Sequence, residues 1–439
     1  LSVPNCLAQS AADLRAEGAA AEAAGQYDAA SRAYEQVAKM YRDMGDPGAA
    51  RVYETKAGFL ATRVAIYREV PGGKPPKALY TGAKYEPPYG AYIGAFIDDD
   101  DTLREGALSG RKAGSREIFV DLVGKPHASY FNYFQYGTGF PTGWVNHLKE
   151  HGAAAQIAFE GANRRLPEKL DEAYLREYAR AARATGAAVF LRFAGEMNGD
   201  WIHYGAPQEY IAKFRFVHDI MEQEAPNVAM LWSPNCIPDR NLLDYYPGDA
   251  YTDWVGFSMY TVYCHNGNKA QPGDKEDPLQ GLKRIYELFA ARKPIMMSEY
   301  ACSHYCGATQ KDLTKFAVDR IRYVYHTLPR RYPRVKMISW YDRDNITHKS
   351  APGRQINNYC ITDNPQVLAA YKGAIAEPYY LPTVPLDKAP EIPPILREVA
   401  DGEKLTGTVT LMGRTTPVEE GHATAEGFIH TFAMKIPVG

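Results

Sequence analysis

Three features are missing from this sequence, and each absence weakens the case for a class of function. No apolar run approaches the roughly 20 residues of a membrane-spanning helix, so we expect no membrane span. The 439 residues include 50 Lys and Arg against 52 Asp and Glu, for a formal net charge of -2. Electrostatics therefore give no support to a nucleic-acid partner or an anionic membrane surface. Neither a Gly-x-Gly-x-x-Gly nor a Walker loop is present, so nothing supports nucleotide binding.

Cysteine and metal-ligand patterns are also sparse. The six cysteines are an even number, which fits an oxidising compartment and loop disulfides. We therefore expect a secreted or cell-surface (periplasmic) protein. The start at Leu1, with no recognisable signal peptide, suggests a mature or trimmed form. Cys302, His304 and Cys306 match no standard zinc spacing, and no His-x-His pair marks a predicted strand end. The sequence thus predicts no metal and no organic cofactor.

Aromatic residues, in contrast, are plentiful. The chain has 32 Tyr and 5 Trp, side chains that stack on sugar rings while hydrogen-bonding their hydroxyls. Core packing accounts for many of them.

Alternating strand and helix patterns predict the fold. Eight strand-like segments occur, most of them separated by helical patterns, at residues 92–97, 117–123, 154–159, 188–193, 229–233, 254–259, 294–298 and 336–340. Eight such repeats favour an α/β fold of the (β/α)8 TIM-barrel type over an open Rossmann sheet. Active sites of such barrels lie at the C-terminal ends of the strands.

Composition predicts the domain limits. Residues 1–70 form a helical hairpin region that resembles a tetratricopeptide unit, followed by a linker at 71–89 and the barrel at 90–377. A Pro-rich linker at 378–394 precedes a short β-strand extension at 395–439. The helices are expected to pack on the barrel or on a protein partner. The C-terminal strands are expected to form a hairpin, to dock on the barrel, or to pair with a partner.

Two segments about a hundred residues apart carry the strongest functional signal. Residues 191–201 and 295–301 each read as an apolar strand that ends on a glutamate, Glu196 and Glu299. A buried carboxylate is costly unless it is paired or functional. The C-terminal ends of the strands of one barrel lie at the same face, so these two glutamates can face each other. A pair of facing carboxylates is what most glycoside hydrolases use for catalysis.

Residues 90–375 resemble glycoside hydrolase family 26, a clan A family of retaining β-glycanases that includes endo-mannanases. The motifs that carry the resemblance are Arg192-x-x-x-Glu196-Met197-Asn198-Gly199-x-Trp201, Tyr245-Tyr246-Pro247-Gly248-Asp249, Asp253-Trp254-Val255-Gly256, Ser298-Glu299-Tyr300 and Trp340. The resemblance implies that Glu196 is the general acid/base and Glu299 the nucleophile. It further implies that Tyr260 hydrogen-bonds the nucleophile, although a plain core tyrosine is the alternative.

The resemblance also implies a set of substrate-binding residues: Glu160, Arg192, Asn198, Trp201, Tyr260 and Trp340. Glu160 and Arg192 equally fit a buried ion pair that supports the barrel rim. In the family a histidine normally precedes the acid/base, whereas this chain has Gly195. We expect this exchange to open space near the sugar, so plain mannan cannot be assumed as the substrate.

These observations predict a retaining endo-β-glycoside hydrolase that cleaves a polysaccharide, β-mannan or a related β-glycan, by double displacement. Two alternatives remain open. A transglycosylase would use the same residues with a sugar in place of water. A non-catalytic polysaccharide-binding or assembly protein would keep the barrel without the activity. The N-terminal helices or C-terminal strands would be its surfaces for a protein partner.

Overall fold

The computed structural model describes residues 10–23, 27–61, 63–65, 80–88, 90–103, 116–348, 356–385, 408–411, 414–417, 420–424 and 427–431. These residues fall into two compact units. One contains the N-terminal helices and the C-terminal strands, and the other is the barrel. About half of each predicted linker lies outside the described residues, so the exact domain limits stay predictions.

The first unit combines both ends of the chain. Its helices are α1 (Ala11–Ala23), α2 (Tyr27–Asp43) and α3 (Pro47–Ala61). The buried apolar residues of α2 recur at the i, i+3, i+4, i+7, i+8 spacing of a helical stripe, and they are Ala30, Ala33, Tyr34, Val37 and Ala38. The helical prediction is confirmed, whereas the tetratricopeptide likeness is not.

Short strands complete this unit. Arg63–Ala65 pairs antiparallel with Thr408–Leu411, which pairs in turn with Arg414–Pro417. Glu420–Thr424 and Gly427–Thr431 form a separate hairpin. The C-terminal extension therefore contains the predicted strands, and it shares a sheet with the segment that follows α3.

The second unit is a closed barrel of parallel strands, as predicted. In chain order the strands are β1 (Ala91–Asp99), β2 (Ser129–Gln135), β3 (Ala154–Glu160), β4 (Val189–Phe193), β5 (Val228–Trp232), β6 (Trp254–Thr261), β7 (Ile295–Cys302) and β8 (Val335–Arg343). Each strand pairs with its chain neighbour, and β8 closes the barrel on β1 through the register Met337 to Tyr92.

Helices surround the barrel between its strands. They are α4 (Arg116–Val123), α5 (Thr142–Glu150), α6 (Glu172–Thr185), α7 (Pro207–Glu224), α8 (Gln280–Phe289), α9 (Thr314–Arg331) and α10 (Pro365–Ile375). Capping residues in the sequence determine where several of these helices begin and end. The Asp171 side chain accepts from the Tyr174 amide to cap α6, which ends at the left-handed Gly186 (φ 57°). Among the described residues no helix is long and apolar enough to cross a membrane.

One predicted strand was wrong. The segment 117–123 is helical and belongs to α4, and the second barrel strand begins instead at Ser129. The buried residues of α4 are Arg116, Phe119 and Val123, a spacing of three and four that is typical of a helix. The high content of β-branched and aromatic residues in this segment made it look like a strand.

The barrel interior changes character along its axis. At the N-terminal end, Tyr92, Phe190, Trp254 and Met296 pack in one apolar cluster. The Trp254 indole donates to the Lys84 carbonyl at 2.7 Å, so residues before β1 help to close this end. A polar layer follows, in which Gln156 donates to the Ser298 carbonyl and Ser233 bonds Ser298, at 3.1 Å and 2.6 Å. Charged residues come next, towards the C-terminal end.

Candidate active site

The two glutamates come from β4 and β7, as the sequence predicts. Glu299 lies within β7, and Glu196 lies in the turn directly after β4. Ala194 and Glu196 have positive φ angles of 48° and 59°, a conformation that non-glycine residues seldom adopt. The Glu196 amide donates to the Ser233 carbonyl at 2.8 Å, which ties this sharp turn to the end of β5. Strained backbone of this kind is frequent at functional sites.

Glu299 is almost fully buried, with 6% of its side chain exposed, and three side chains donate to it. Arg192 and the Tyr133 hydroxyl donate to Oε1, the latter at 2.8 Å, and Tyr260 donates to Oε2. Burial alone would raise the pKa of Glu299. The charge of Arg192 and the three hydrogen bonds outweigh burial and hold the pKa below its ordinary value. This carboxylate is therefore ionised at neutral pH.

The two tyrosines that contact Glu299 remain hydrogen-bond donors. Burial, reinforced by the charge of Glu299, raises the pKa of both Tyr133 and Tyr260 well above the ordinary value. The contact between Tyr260 and Glu299 is the one that the family resemblance implies.

Arg192 is a buried ion-pair residue whose partner is Glu299. Its guanidinium also donates to the Ser258 hydroxyl at 3.1 Å, and the side chain is 1% exposed. Gly195 is the residue that makes room for this guanidinium. A Cβ at position 195 would lie 2.5 Å from Arg192 Nε. The expectation that Gly195 opens space for the sugar is therefore wrong, because Arg192 fills that space.

Glu196 is half-buried and accepts one hydrogen bond on each oxygen. The Trp201 indole donates to Oε2 at 3.1 Å, and Asn235 Nδ2 donates to Oε1 at 3.0 Å. Trp201 therefore contacts the acid/base candidate directly.

Asn198 holds the Asn235 loop instead of facing a substrate groove. Its Nδ2 donates to the carbonyls of Asn235 and Pro238 at 2.9 Å and 2.8 Å, and its Oδ1 accepts from the Asn235 amide at 2.8 Å. The side-chain amide is thus fully used within the protein, and the residue is 4% exposed. The prediction that Asn198 binds substrate is corrected to a positioning contact behind Glu196.

Glu160, at the end of β3, is a third carboxylate in the same region. Burial raises the pKa of Glu160 to about 7; the charge of Arg192 opposes this rise, and those of Glu299 and Glu196 add to it. No ion pair joins Glu160 to Arg192 in the described part of the chain, where Arg192 pairs with Glu299. Of the two alternatives left open for Glu160 and Arg192, the mutual ion pair is therefore not found, and substrate binding stays a prediction. Glu160 carries a proton over part of the neutral pH range.

Trp340 does not lie where a sugar can stack on it. Its side chain is 0% exposed, donates to the Tyr359 carbonyl at 3.0 Å, and packs edge-on against Tyr300 and Tyr371. Side chains alternate between the two faces of a strand, and the next residue, Tyr341, points the other way. Tyr341 packs against Tyr260 with ring centroids 5.6 Å apart. The full burial of Trp340 therefore argues against the prediction that it is a sugar platform.

The sequence reasoning missed several residues of this site: Tyr133, Asn235, Ser258 and Tyr341. Tyr133 was missed because its strand was placed at 117–123. Asn235 follows the apolar strand β5 in the segment Trp-Ser-Pro-Asn, a polar strand end that offers a usable signal. Ser258 and Tyr341 become visible only when the inward face of β6 and β8 is known.

The described cysteines do not form the expected loop disulfides. Cys236, Cys264, Cys302, Cys306 and Cys360 all carry free thiols, and Cys6 lies outside the described residues. Cys302 is buried and its thiol points to the Ala317 carbonyl at 3.5 Å. The disulfide prediction is therefore not supported.

Comparison with known proteins adds to this geometry. Residues 130–272 match the model of glycosyl hydrolase family 26. The matched segment contains Glu160, Arg192, Glu196 and Tyr260 and ends before Glu299. The family 26 resemblance of the sequence is thus supported by the family model over this segment.

Two curated relatives carry the names of enzymes that cleave glycans, an endoglucanase and a mannan endo-1,4-beta-mannosidase. The chain is 27% identical over 297 residues to endoglucanase H of Acetivibrio thermocellus, covering 62% of this chain and 30% of the relative. It is 23% identical over 234 residues to mannan endo-1,4-beta-mannosidase A and B of Caldalkalibacillus mannanilyticus, covering 50% of this chain and 39% of the relative. The chain therefore spans well under half the length of these relatives.

Two of the solved structures that match the chain are mannanases. A modular endo-β-1,4-mannanase from Cellulomonas fimi has a TM-score of 0.49 at 16% identity, covering 84% of this chain and 99% of that one. A β-mannanase from Bacteroides ovatus has a TM-score of 0.45 at 12% identity, covering 67% and 91%.

Proposed function

We propose that the barrel is a retaining β-glycoside hydrolase in which Glu299 is the nucleophile and Glu196 the general acid/base. The observation that carries the proposal is the environment of Glu299. A nucleophilic carboxylate must be ionised, desolvated and held in a fixed direction. Arg192, Tyr133 and Tyr260 supply these conditions together.

The hydrogen bonds also indicate which oxygen reacts. Each carboxylate oxygen has two lone pairs. Oε1 of Glu299 accepts from both Arg192 and Tyr133, whereas Oε2 accepts from Tyr260 among the described residues. Oε2 therefore retains a lone pair for attack on an anomeric carbon. We assign the covalent bond of the intermediate to Oε2.

Glu196 is suited to the proton transfers. Its carboxyl group is half-buried, so a leaving-group oxygen or a water can reach it, and each oxygen accepts one hydrogen bond. The proton of the acid form occupies a remaining lone-pair position. Trp201 and Asn235 fix the direction of this proton.

The reaction follows in two displacements. Glu299 Oε2 attacks the anomeric carbon while Glu196 donates its proton to the departing glycosidic oxygen, which leaves as an alcohol. Glu196, now a carboxylate, takes a proton from water as the water attacks the same carbon and breaks its bond to Glu299. Both glutamates return to their starting states and the anomeric configuration is retained.

The substrate we propose is a β-linked polysaccharide of the mannan or glucan class, cleaved internally. The names of the two curated relatives, an endoglucanase and an endo-1,4-β-mannosidase, support this class. A polymer of this kind is met outside the cytoplasm, so a secreted or cell-surface location remains part of the proposal.

Release of reducing ends from β-mannans, β-glucans and xylans tests the proposal. We expect activity on one of these glycans, and we expect Glu299→Gln and Glu196→Gln to lower it by at least a thousandfold. Glu172→Gln, an exposed carboxylate on α6, is the matched control and should keep full activity. Full activity in Glu299→Gln would reject the nucleophile, and glycan binding without turnover would favour the non-catalytic alternative.

A further inference from the structure

Two histidines and a glutamate converge on the helical layer of the barrel, away from the carboxylates described above. His147 lies in the last turn of α5, and His151 is the C-cap residue that directly follows this helix. Glu117 belongs to α4. Its Oε1 lies 3.5 Å from Nε2 of each histidine. One ligand atom from each of the three residues lies within 4.8 Å of the other two.

One hydrogen bond fixes the direction of a lone pair. His151 Nδ1 lies 2.8 Å from the carbonyl oxygen of His147. A carbonyl can only accept, so Nδ1 of His151 carries the hydrogen. In the neutral ring Nε2 then has no hydrogen and presents its lone pair towards Glu117. A backbone carbonyl behind the ring is a frequent orienting partner of a metal-binding histidine.

We propose that Glu117, His147 and His151 bind a divalent transition-metal ion of the zinc class. Zinc bonds to nitrogen and carboxylate oxygen are about 2.0–2.2 Å long, so tetrahedral ligand atoms lie about 3.3–3.5 Å apart. The two separations of 3.5 Å match this value. Water completes the coordination on the solvent side.

The donor set decides which ions fit. Two imidazoles with one carboxylate suit Zn²⁺, Ni²⁺ and Cu²⁺, whereas Mg²⁺ and Ca²⁺ prefer oxygen ligands throughout. The side chains are 35% to 46% exposed, and the Arg116 guanidinium lies 3.6 Å from Glu117 Oε1. Exposure and this neighbouring positive charge both weaken the binding of a cation. The site should therefore bind in the micromolar range.

The position of the site separates it from catalysis. His151 lies three residues before the start of β3, so it lies at the N-terminal end of the strands, opposite the end that carries Glu196 and Glu299. A metal ion here joins α4 to α5. Its stabilisation of the barrel would grow with the logarithm of the free metal concentration above the Kd, and glycan hydrolysis would stay unchanged.

Isothermal titration calorimetry of the tag-free, metal-free protein with Zn²⁺ tests the proposal. We expect one ion per chain and a rise in Tm on loading. His147→Ala and His151→Ala should each weaken binding at least tenfold, and Glu117→Gln should weaken it too. The matched control is His265→Ala, which removes a partly exposed histidine that pairs with Glu276 and that, among the described residues, belongs to no three-residue ligand cluster. Its affinity for Zn²⁺ should equal that of the parent.

Two results would overturn the site. The first is the absence of binding at Zn²⁺ concentrations 100-fold above the micromolar range. The second is an equal affinity for Zn²⁺ in the parent, His147→Ala and His151→Ala. Circular dichroism of each variant without metal checks its folding, and the double variant His147→Asn, His151→Asn repeats the test with polar side chains. Ca²⁺ or Mg²⁺ binding with equal strength would also contradict the assignment of a zinc-class ion.

Discussion

Replacing Gly195 with alanine puts a methyl group into the space that the Arg192 guanidinium fills. The added Cβ would lie 2.5 Å from Nε and 2.9 Å from both Cζ and Nη2 of Arg192. Arg192 cannot retreat freely, because Glu299 and Ser258 hold its far end and the side chain is buried. Overpacking of this kind costs about 1–3 kcal/mol. We expect the strain to loosen the ion pair with Glu299.

Loosening that pair changes catalysis in a specific direction. Arg192 helps to hold the pKa of Glu299 below its ordinary value. In Gly195→Ala the pKa of Glu299 rises, so the acidic limb of the kcat/KM profile moves to higher pH. Loss of about 1.4–2.7 kcal/mol of transition-state stabilisation lowers kcat/KM about 10- to 100-fold. Steady-state kinetics between pH 4 and 8 and thermal unfolding measure both effects.

Gly256→Ala is the matched control. Its added Cβ would lie 2.9 Å from Leu231 Cδ1 and 3.0 Å from Ser298 Oγ, and none of its three nearest atoms belongs to Arg192. We expect a lower Tm with an unmoved acidic limb. An acidic limb that stays in place in Gly195→Ala, together with full kcat/KM, would refute the link between Gly195, Arg192 and Glu299.

Three further substitutions test separate parts of the site. Tyr133→Phe removes one donor to Glu299, and because a hydrogen bond to a charged group contributes about 1.5–3 kcal/mol, kcat/KM should fall at least tenfold; unchanged kinetics would contradict this role. Glu160→Gln removes a group whose folded-state pKa is raised to about 7. The parent loses stability as pH rises towards that value. Between pH 5 and 8, the free energy of unfolding of the variant, measured in urea, should therefore increase by about 2–3 kcal/mol relative to that of the parent. A difference that stays constant with pH would argue against the raised pKa. Trp340→Phe should lower Tm and leave KM unchanged. A raised KM would instead indicate that Trp340 contacts the substrate.

Most of the barrel follows from hydrophobic patterning. Seven of the eight predicted strand positions overlap an observed strand, because buried parallel strands are short apolar runs between helices. The exception is the segment 117–123, where α4 is both amphipathic and rich in β-formers. That error removed β2 from the prediction and with it Tyr133.

Side-chain direction was harder to predict than strand position. A one-residue shift in the assumed face of β8 exchanges Trp340 for Tyr341, since successive side chains point to opposite faces. The role of Gly195 depends on the left-handed residues on either side of it, Ala194 and Glu196. No sequence pattern indicates that turn, because glycine rather than alanine or glutamate is the usual residue there.

The most direct test of the account is to identify the residue that becomes glycosylated. In Glu196→Ala the base that activates water is missing, so a β-glycoside of the accepted sugar with a good aryl leaving group should accumulate a glycosyl-enzyme. Intact mass should rise by one glycosyl unit, and peptide mapping should find that unit on Glu299. With the parent enzyme, nuclear magnetic resonance should detect the β-anomer as the first product. Glycosylation of Glu160, or an α-anomer as the first product, would contradict the double displacement through Glu299.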